Sequence, residues 1–208
     1  MNIEPIILEN PLAQVSLTTM RDHSTDSTAF RRACHRLGVA LAVATAPHLP
    51  TNVCEVETPL EVTPGRIWQP ICLIPILRAG LGLLEPFHQL YPDASVGQIG
   101  MRRNEDTLAA ETYLEKMPET LKGTTAVVLD PMLATGHSLV ASLKIVETYH
   151  PQHILVACAL AAPEGMREVQ TCFPEAQLII GCLDRELNDK GYILPGLGDA
   201  GDRMFGTV

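Results

Sequence analysis

The 208-residue chain predicts an α/β fold with a parallel sheet, and three observations carry that reading. Apolar runs recur from Ile71 onward: "ICLIPIL" (Ile71 to Leu77), "TAVVLD", "HILVACALAA" and "QLIIGCLD". Their apolar residues are continuous rather than alternating, as in strands buried on both faces. Between them lie segments of helical spacing: "LGLLEPFHQLY", "SLVASLKIVETY" and "PEGMREVQTCF". Strand and helix in turn is the pattern of βαβ units. Ligands of such sheets sit beyond the carboxyl ends of the strands. The loops after Leu77, Arg103, Asp130 and Asp184 are therefore expected on one rim.

Taken in order, the N-terminal third reads as an arm and a helix. From Ser24, "STDSTAFRRACHRLGVALAVATA" sets cap-type residues ahead of Phe30, Ala33, Cys34, Leu37, Leu41 and Ala44 at helical spacing. Pro47 and Pro50 end that helix, and a loop holding "ETPL" follows. After the first buried strand and its helix, "ASVGQIGMR" alternates and reads as a strand. "NEDTLAAETYLEKMPE" is polar and irregular, which suits a protruding flap or hairpin. The last segment, "NDKGYILPGLGDAGDRMFGTV", holds Gly191, Gly196, Gly198, Gly201 and Gly206. So glycine-rich a tail is expected to form no regular element, and either to fray or to wrap a ligand with backbone groups. The division expected is one domain over 1–208: an arm and helix over 1–68, an α/β core over 69–184, and a final segment over 185–208.

Composition narrows the class. A formal net charge of -9 argues against broad binding to a nucleic-acid backbone, though not against a local basic pocket for a small anion. Aromatics are only 4%, so the core must be aliphatic. Six cysteines form no C-x-x-C pair, which suits buried thiols in a reducing compartment. "MNIEPIILEN" lacks the basic start of a secretory signal, and no apolar stretch reaches about 18 residues. A soluble cytoplasmic protein is expected, without a membrane partner. His150 and His153 have H-x-x-H spacing but flank Pro151 in a turn, so no metal site is assigned there.

The chemistry concentrates in "VVLDPMLATGHSLVAS", Val127 to Ser142. An apolar strand ends in Asp130. A loop of Pro131, Met132, Leu133, Ala134, Thr135, Gly136, His137 and Ser138 then opens a helix. Backbone N–H groups at a helix N-terminus, with Thr and Ser hydroxyls, make a phosphate cradle. An ordinary strand-to-helix turn capped by Thr135 or Ser138 fits the same residues. No P-loop signature is present. In "PILRAGLG", Arg78 follows a buried strand, and Arg102 and Arg103 end another. Guanidinium forks on that rim suit an anion. In the tail, fixed backbone N–H and C=O groups of "GYILPGLGDAG" are able to read a uracil-like base edge, on which C=O and N–H alternate.

These segments identify a family resemblance. "ETPL", "PILRAGLG", "VLDPMLATG-S", "AAPEG", "LN--GYI-PGLGDAGDR" and "FGT" come in the order and spacing of uracil phosphoribosyltransferase and cover most of Glu57 to Val208. "DPMLATG" with "PGLGDAGDR" is highly specific. The N-terminal third matches more loosely, through "PL", "LTTMRD" and "FR".

The resemblance implies a type I phosphoribosyltransferase-like parallel core with a C-terminal hood, a flap or β-arm and an N-terminal helical arm. It implies transfer of the phosphoribosyl group of phosphoribosyl pyrophosphate (PRPP) to uracil, giving UMP and pyrophosphate, with Mg²⁺ accompanying PRPP. By this resemblance the loop Asp130 to Ser138 binds PRPP, with Asp130 toward the ribose hydroxyls. Arg78 and Arg103 hold the pyrophosphate. Ile193, Gly198, Asp199 and Ala200 read uracil through backbone groups, and Asp199 also faces PRPP. No residue is assigned as a catalytic base. A homo-oligomer, dimer or higher, is implied, with GTP as a possible effector. Departures from the family pattern are His137 for a usual Gly, Glu186 for a Gly, Arg102 for a Tyr, and "VATAPH" (Val43 to His48) for a charged stretch. The departures bear on the oligomer surface and GTP more than on the core chemistry. They also motivate an alternative: a homologue that binds PRPP or UMP in a regulatory role without turnover.

Overall fold

The computed structural model describes residues 3–103 and 110–207. Its elements run β1 (Ile6–Ile7), α1 (Pro11–Arg21), α2 (Ser27–Thr45), β2 (Thr51–Glu57), β3 (Val62–Trp68), β4 (Ile71–Leu77), α3 (Leu81–Leu90), β5 (Ser95–Val96), β6 (Gln98–Arg103), β7 (Ala110–Lys116), β8 (Thr125–Leu129), β9 (Met132–Leu133), α4 (His137–Glu147), β10 (His153–Ala161), α5 (Pro163–Cys172), β11 (Gln177–Leu183), β12 (Glu186–Leu187), β13 (Ile193–Leu194) and α6 (Ala200–Phe205). The main sheet has the order β1-β11-β10-β8-β4-β6-β7, with β5 beside β4 and β9 beside β10. All its pairs are parallel except β6 with β7. The predicted α/β class with a parallel sheet is what the chain adopts.

Register explains why the buried runs read as continuous apolar sequence. Leu73, Val127 and Leu155 lie side by side across β4, β8 and β10 and face one core. Phe30, Leu37 and Leu41 of α2 and Leu83 and Phe87 of α3 cover it. One residue further along, Ile74, Val128 and Val156 face the opposite core, with Leu139, Val140 and Leu143 of α4 and Val169 of α5. Period-two side chains serve both faces, so these strands are apolar along their length, with polar Thr125 and His153 only at the starts of β8 and β10. The core is aliphatic as expected. Phe30 and Phe87 are fully buried exceptions, each contributing about 1.5–3 kcal/mol by burial.

The N-terminal third is more structured than expected. A helix precedes the expected one: α1 begins with Pro11 in its first turn, and the Asn10 side chain accepts from the N–H of Ala13 at 2.9 Å. Of the cap-type residues ahead of it, Asp26 caps α2, accepting from Ala29 N–H at 2.8 Å. α2 ends at Thr45, ahead of Pro47, as the prolines require. β1 adds to the sheet at β11, so residues outside 69–184 belong to it. The "ETPL" segment is not a loop between helix and core. It is the turn of an antiparallel ribbon, β2 with β3, paired from Thr51↔Trp68 to Glu57↔Val62. The tail also departs from expectation. β12 pairs with β13, and α6 forms because Asp199 caps it and left-handed Gly206 ends it.

β4 ends in a turn that folds back on the sheet. The Gly80 N–H donates to the Ile76 carbonyl at 2.8 Å. A Cβ on Gly80 would lie 2.5 Å from the Leu129 carbonyl oxygen and 2.6 Å from backbone atoms of Ile76. Neither neighbour is a flexible side chain. Gly80→Ala is therefore expected to cost about 1–3 kcal/mol of stability, as overpacking does. Urea denaturation would show a lowered midpoint with an unchanged slope, and an unchanged midpoint would contradict this account of the turn.

Candidate active site

The carboxyl ends of β4, β8, β10 and β11 share one edge of the sheet, as parallel pairing requires. At that edge β8 passes into Asp130. The Asp130 N–H donates to Ala157 O at 3.2 Å, and its carboxylate accepts from the Met132 N–H at 3.3 Å. Burial raises its pKa to about 6, against the weaker opposing effect of the Met132 hydrogen bond. Pro131 and Leu133 face inward: the Pro131 carbonyl accepts from Ala159 and Leu160, and that of Leu133 from Ala162. They brace the loop against β10.

The loop turns into α4 through Gly136, whose φ of 86° is left-handed and open to glycine at little cost. Gly136 occupies the N-cap position with no side-chain capping bond, so neither Thr135 nor Ser138 caps this helix. The first N–H groups of α4 are thus not taken by a capping side chain. His137 is the first helical residue. Among the described non-glycine residues only His150 has positive φ, so His137 carries no backbone strain.

Above this loop lies a cavity of about 410 Å³. Met132, Ala134, Thr135, His137 and Ser138 form its floor. Ile193, Gly198, Asp199 and Ala200 form the facing wall. Nine of the expected site residues thus meet around one space. Pro131, Leu133, Gly136 and Asp130 support its floor without lining it. Five further residues line it that the sequence reading did not assign: Ala79, Lys190, Gly191, Tyr192 and Gly201. The glycine-rich tail held the signal for the last four. Ala79 follows only from the approach of the β4 turn to the hood.

Two of the arginines expected on the rim, Arg78 and Arg102, have acidic partners. Arg78 donates to Asp202 at 2.9 Å and to Thr207 at 3.4 Å, and Thr207 donates to the same Asp202 oxygen at 2.6 Å. The Leu77–Arg78 peptide is cis, as is Leu194–Pro195. Arg102 pairs with Glu111 across the β6–β7 hairpin at 3.1 Å. The flap expected over "NEDTLAAETYLEKMPE" has its arms in β6 and β7, and residues 104–109 lie outside the described residues. Arg103 ends β6, and its side chain lies outside the described residues too. Asp199 caps α6 with one carboxylate oxygen, accepting from Asp202 N–H at 2.9 Å. Among the described residues no three His, Cys, Asp or Glu side chains converge as a metal site, and no helix is long and apolar enough to cross a membrane.

Comparison with known proteins places this arrangement. The family model described as uracil phosphoribosyltransferase matches residues 7–207. The uracil phosphoribosyltransferase of Ureaplasma parvum is 45% identical over 203 residues, covering 97% of this chain and 98% of its own. That of Dictyoglomus turgidum is 40% identical over 204 residues, covering 97% and 99%. Among solved structures, the AQ2163 protein from Aquifex aeolicus superposes with a TM-score of 0.91 at 38% identity, covering 97% of this chain and 98% of its own. A purine phosphoribosyltransferase from Pyrococcus horikoshii, at 13% identity, a TM-score of 0.50 and coverage of 88% and 93%, shares the fold alone. Matched along nearly its whole length in sequence, this chain belongs to the uracil phosphoribosyltransferase family.

Proposed function

We propose that the protein transfers the phosphoribosyl group of PRPP to N1 of uracil, giving UMP and pyrophosphate. One observation carries this reading: a single cavity has the N-terminus of α4 at its floor and the glycine-rich hood as its facing wall. A ligand with a phosphate at one end and a planar base at the other spans such a site. In the reaction the bond from C1′ to the pyrophosphate oxygen breaks, and pyrophosphate keeps the electron pair. The bond from uracil N1 to C1′ forms, and the N1 proton is released. Positive charge grows on the sugar while negative charge grows on the leaving group.

The chain's part is binding, orientation and charge stabilisation. N–H groups at the start of α4, with the Thr135 and Ser138 hydroxyls and the His137 imidazole, take the 5-phosphate. Holding that remote group fixes the sugar for attack. Asp130 accepts the ribose hydroxyls. Arg78 and Arg103 stabilise the charge that develops on pyrophosphate. Ile193 and Gly198 to Ala200 read the uracil edge with backbone groups, and Asp199 also faces PRPP. Mg²⁺ fits as a companion of PRPP. Asp130 offers a carboxylate, and an ion that keeps its waters and binds phosphate oxygens needs no dedicated protein cage. When bound it neutralises charge on the pyrophosphate.

Two wider readings rest on the surface. The β2–β3 ribbon exposes Val53, Leu60, Val62, Ile67 and Trp68, which supports a homo-oligomer that covers them. All six cysteines are free, which supports a reducing, cytoplasmic setting. GTP is a proposed effector, tested by turnover with and without it.

The central test is conversion of radiolabelled uracil with PRPP and Mg²⁺, with UMP as the product. Uracil should be accepted, and cytosine, hypoxanthine and orotate should turn over at least about tenfold less well, because a mismatched base leaves buried amide groups unpaired. PRPP binding without UMP formation would favour the regulatory alternative, and equal use of hypoxanthine would refute the base assignment. Arg78→Ala should raise the KM for PRPP at least about tenfold with the fold intact, since it removes a charge-assisted contact. Unchanged PRPP kinetics in that variant would remove Arg78 from the site.

Asp130 gives a pH test. Its pKa rises from 3.8 to about 6 in the folded protein, so between those values the unfolded chain has lost this proton and the folded chain has kept it. The group therefore withdraws stability as pH rises across that window. Its role as an acceptor needs the ionised form, so PRPP binding should tighten as pH rises through about 6. Asp130→Asn should flatten both trends. Titration calorimetry and melting curves from pH 4.5 to 7.5 on both proteins would check this, and parallel profiles would contradict it.

A further inference from the structure

The turn between the two base-reading positions is held from behind by groups that do not line the cavity. Gly196 lies between Ile193 and Gly198, with φ of 62°, and a Cβ there would sit 2.1 Å from the Ile193 carbonyl oxygen. Both of its backbone polar groups are engaged by one ion pair. The Gly196 N–H donates to Asp184 Oδ2 at 3.0 Å, and its carbonyl accepts from Arg21 Nη1 at 2.9 Å. Arg21 in turn grips Asp184 with both terminal nitrogens, at 2.9 and 2.5 Å. Asp184 is 6% exposed. Burial by itself would raise its pKa, yet the Arg21 bonds and charge, with the Gly196 N–H, hold it below the ordinary value.

A second guanidinium repeats the arrangement one residue on. Arg203 donates to the Leu197 carbonyl at 2.9 Å. It also donates to the carbonyls of Met20 and Asp22, just beside Arg21, and lies 4.7 Å over the Phe30 ring. The backbone of Gly196 and Leu197 is thus fixed to the end of α1 and the turn after it. A bidentate fork on a buried carboxylate fixes direction as well as distance. The direction fixed here is that of the peptide groups between Ile193 and Gly198, from the Gly196 N–H to the Leu197 carbonyl.

We propose that Arg21 is a positioning residue for the base: through Asp184 and both backbone groups of Gly196 it sets the separation of Ile193 and Gly198, and so the affinity and selectivity for uracil. This rests on the reading of the hood as the uracil site. The competing account is a salt bridge that stabilises the fold and nothing more. The two differ in which substrate responds. A positioning role acts on the base side of the cavity and leaves the α4 cradle alone, whereas general loosening affects both substrates.

The test uses the full chain as wild type, Arg21→Lys and Arg21→Gln, with melting curves and separate KM values for uracil and PRPP, measured well below each melting temperature. Arg21→Gln should raise the KM for uracil at least about tenfold, equivalent to losing one charge-assisted contact. The KM for PRPP should stay within about twofold. Arg21→Lys should fall between, because its one ammonium cannot replace both guanidinium nitrogens and so loses the two-nitrogen grip on Asp184. Discrimination against cytosine should weaken in the same order. If the Gln variant does not fold, the Lys variant carries the test alone. Unchanged uracil KM, or equal rises for both substrates, or failure of both variants to fold, overturns the proposal. A wild type that does not turn over uracil refutes the functional reading itself, whereas an active wild type with unresponsive variants refutes only the role of Arg21.

Discussion

Parallel pairing is the constraint on which the rest of the molecule depends. It obliges each crossover to return to the same end of the sheet, so the carboxyl ends of β4, β8, β10 and β11 gather along one edge. It also demands cover on both faces, supplied by α2 and α3 on one side and α4 and α5 on the other. Loops at the gathered edge are free to carry polar chemistry because the two cores already supply the stability. The β8–α4 loop uses that freedom with a left-handed glycine and an uncapped helix start.

Legibility in the sequence followed burial. β4 spans Ile71–Leu77, the same residues as the apolar run that predicted it, because a strand covered on both faces has no other composition open to it. The cradle was legible because "DPMLATGHS" is local: consecutive residues build it. The β2–β3 ribbon was not, since both its faces are largely solvent-exposed and leave no regular burial pattern to read. α1 was missed although Asn10 and Pro11 mark its start, because exposed Leu12 and Val15 interrupt the buried stripe of Ala13, Leu17 and Met20. The contributions of Ala79 and of Arg21 depend on contacts between segments far apart in sequence. No window reading reaches such contacts.

The electrostatics of the site are short-ranged. With a net charge of -9 the chain as a whole does not draw anions in. Arg78 and Arg102 are moreover held beside acids, Asp202 and Glu111 in turn. An incoming polyanion therefore competes with a carboxylate for these two guanidinium groups. Recognition then depends on the number and direction of hydrogen bonds offered at close range, which rewards shape over charge. The backbone N–H groups of α4 and the hood are suited to that, being neutral and fixed.

The stitch between Arg21 and Gly196 joins residues 175 positions apart. On a ribosome, α1 emerges early and its guanidinium then waits for those intervening residues before its carbonyl partner exists. The strand-and-loop unit that forms the cavity floor is available well before the hood. A nascent chain would thus complete the floor first and the facing wall among its last long-range contacts. The half of the site proposed to distinguish one base from another is thus the later of the two to be assembled.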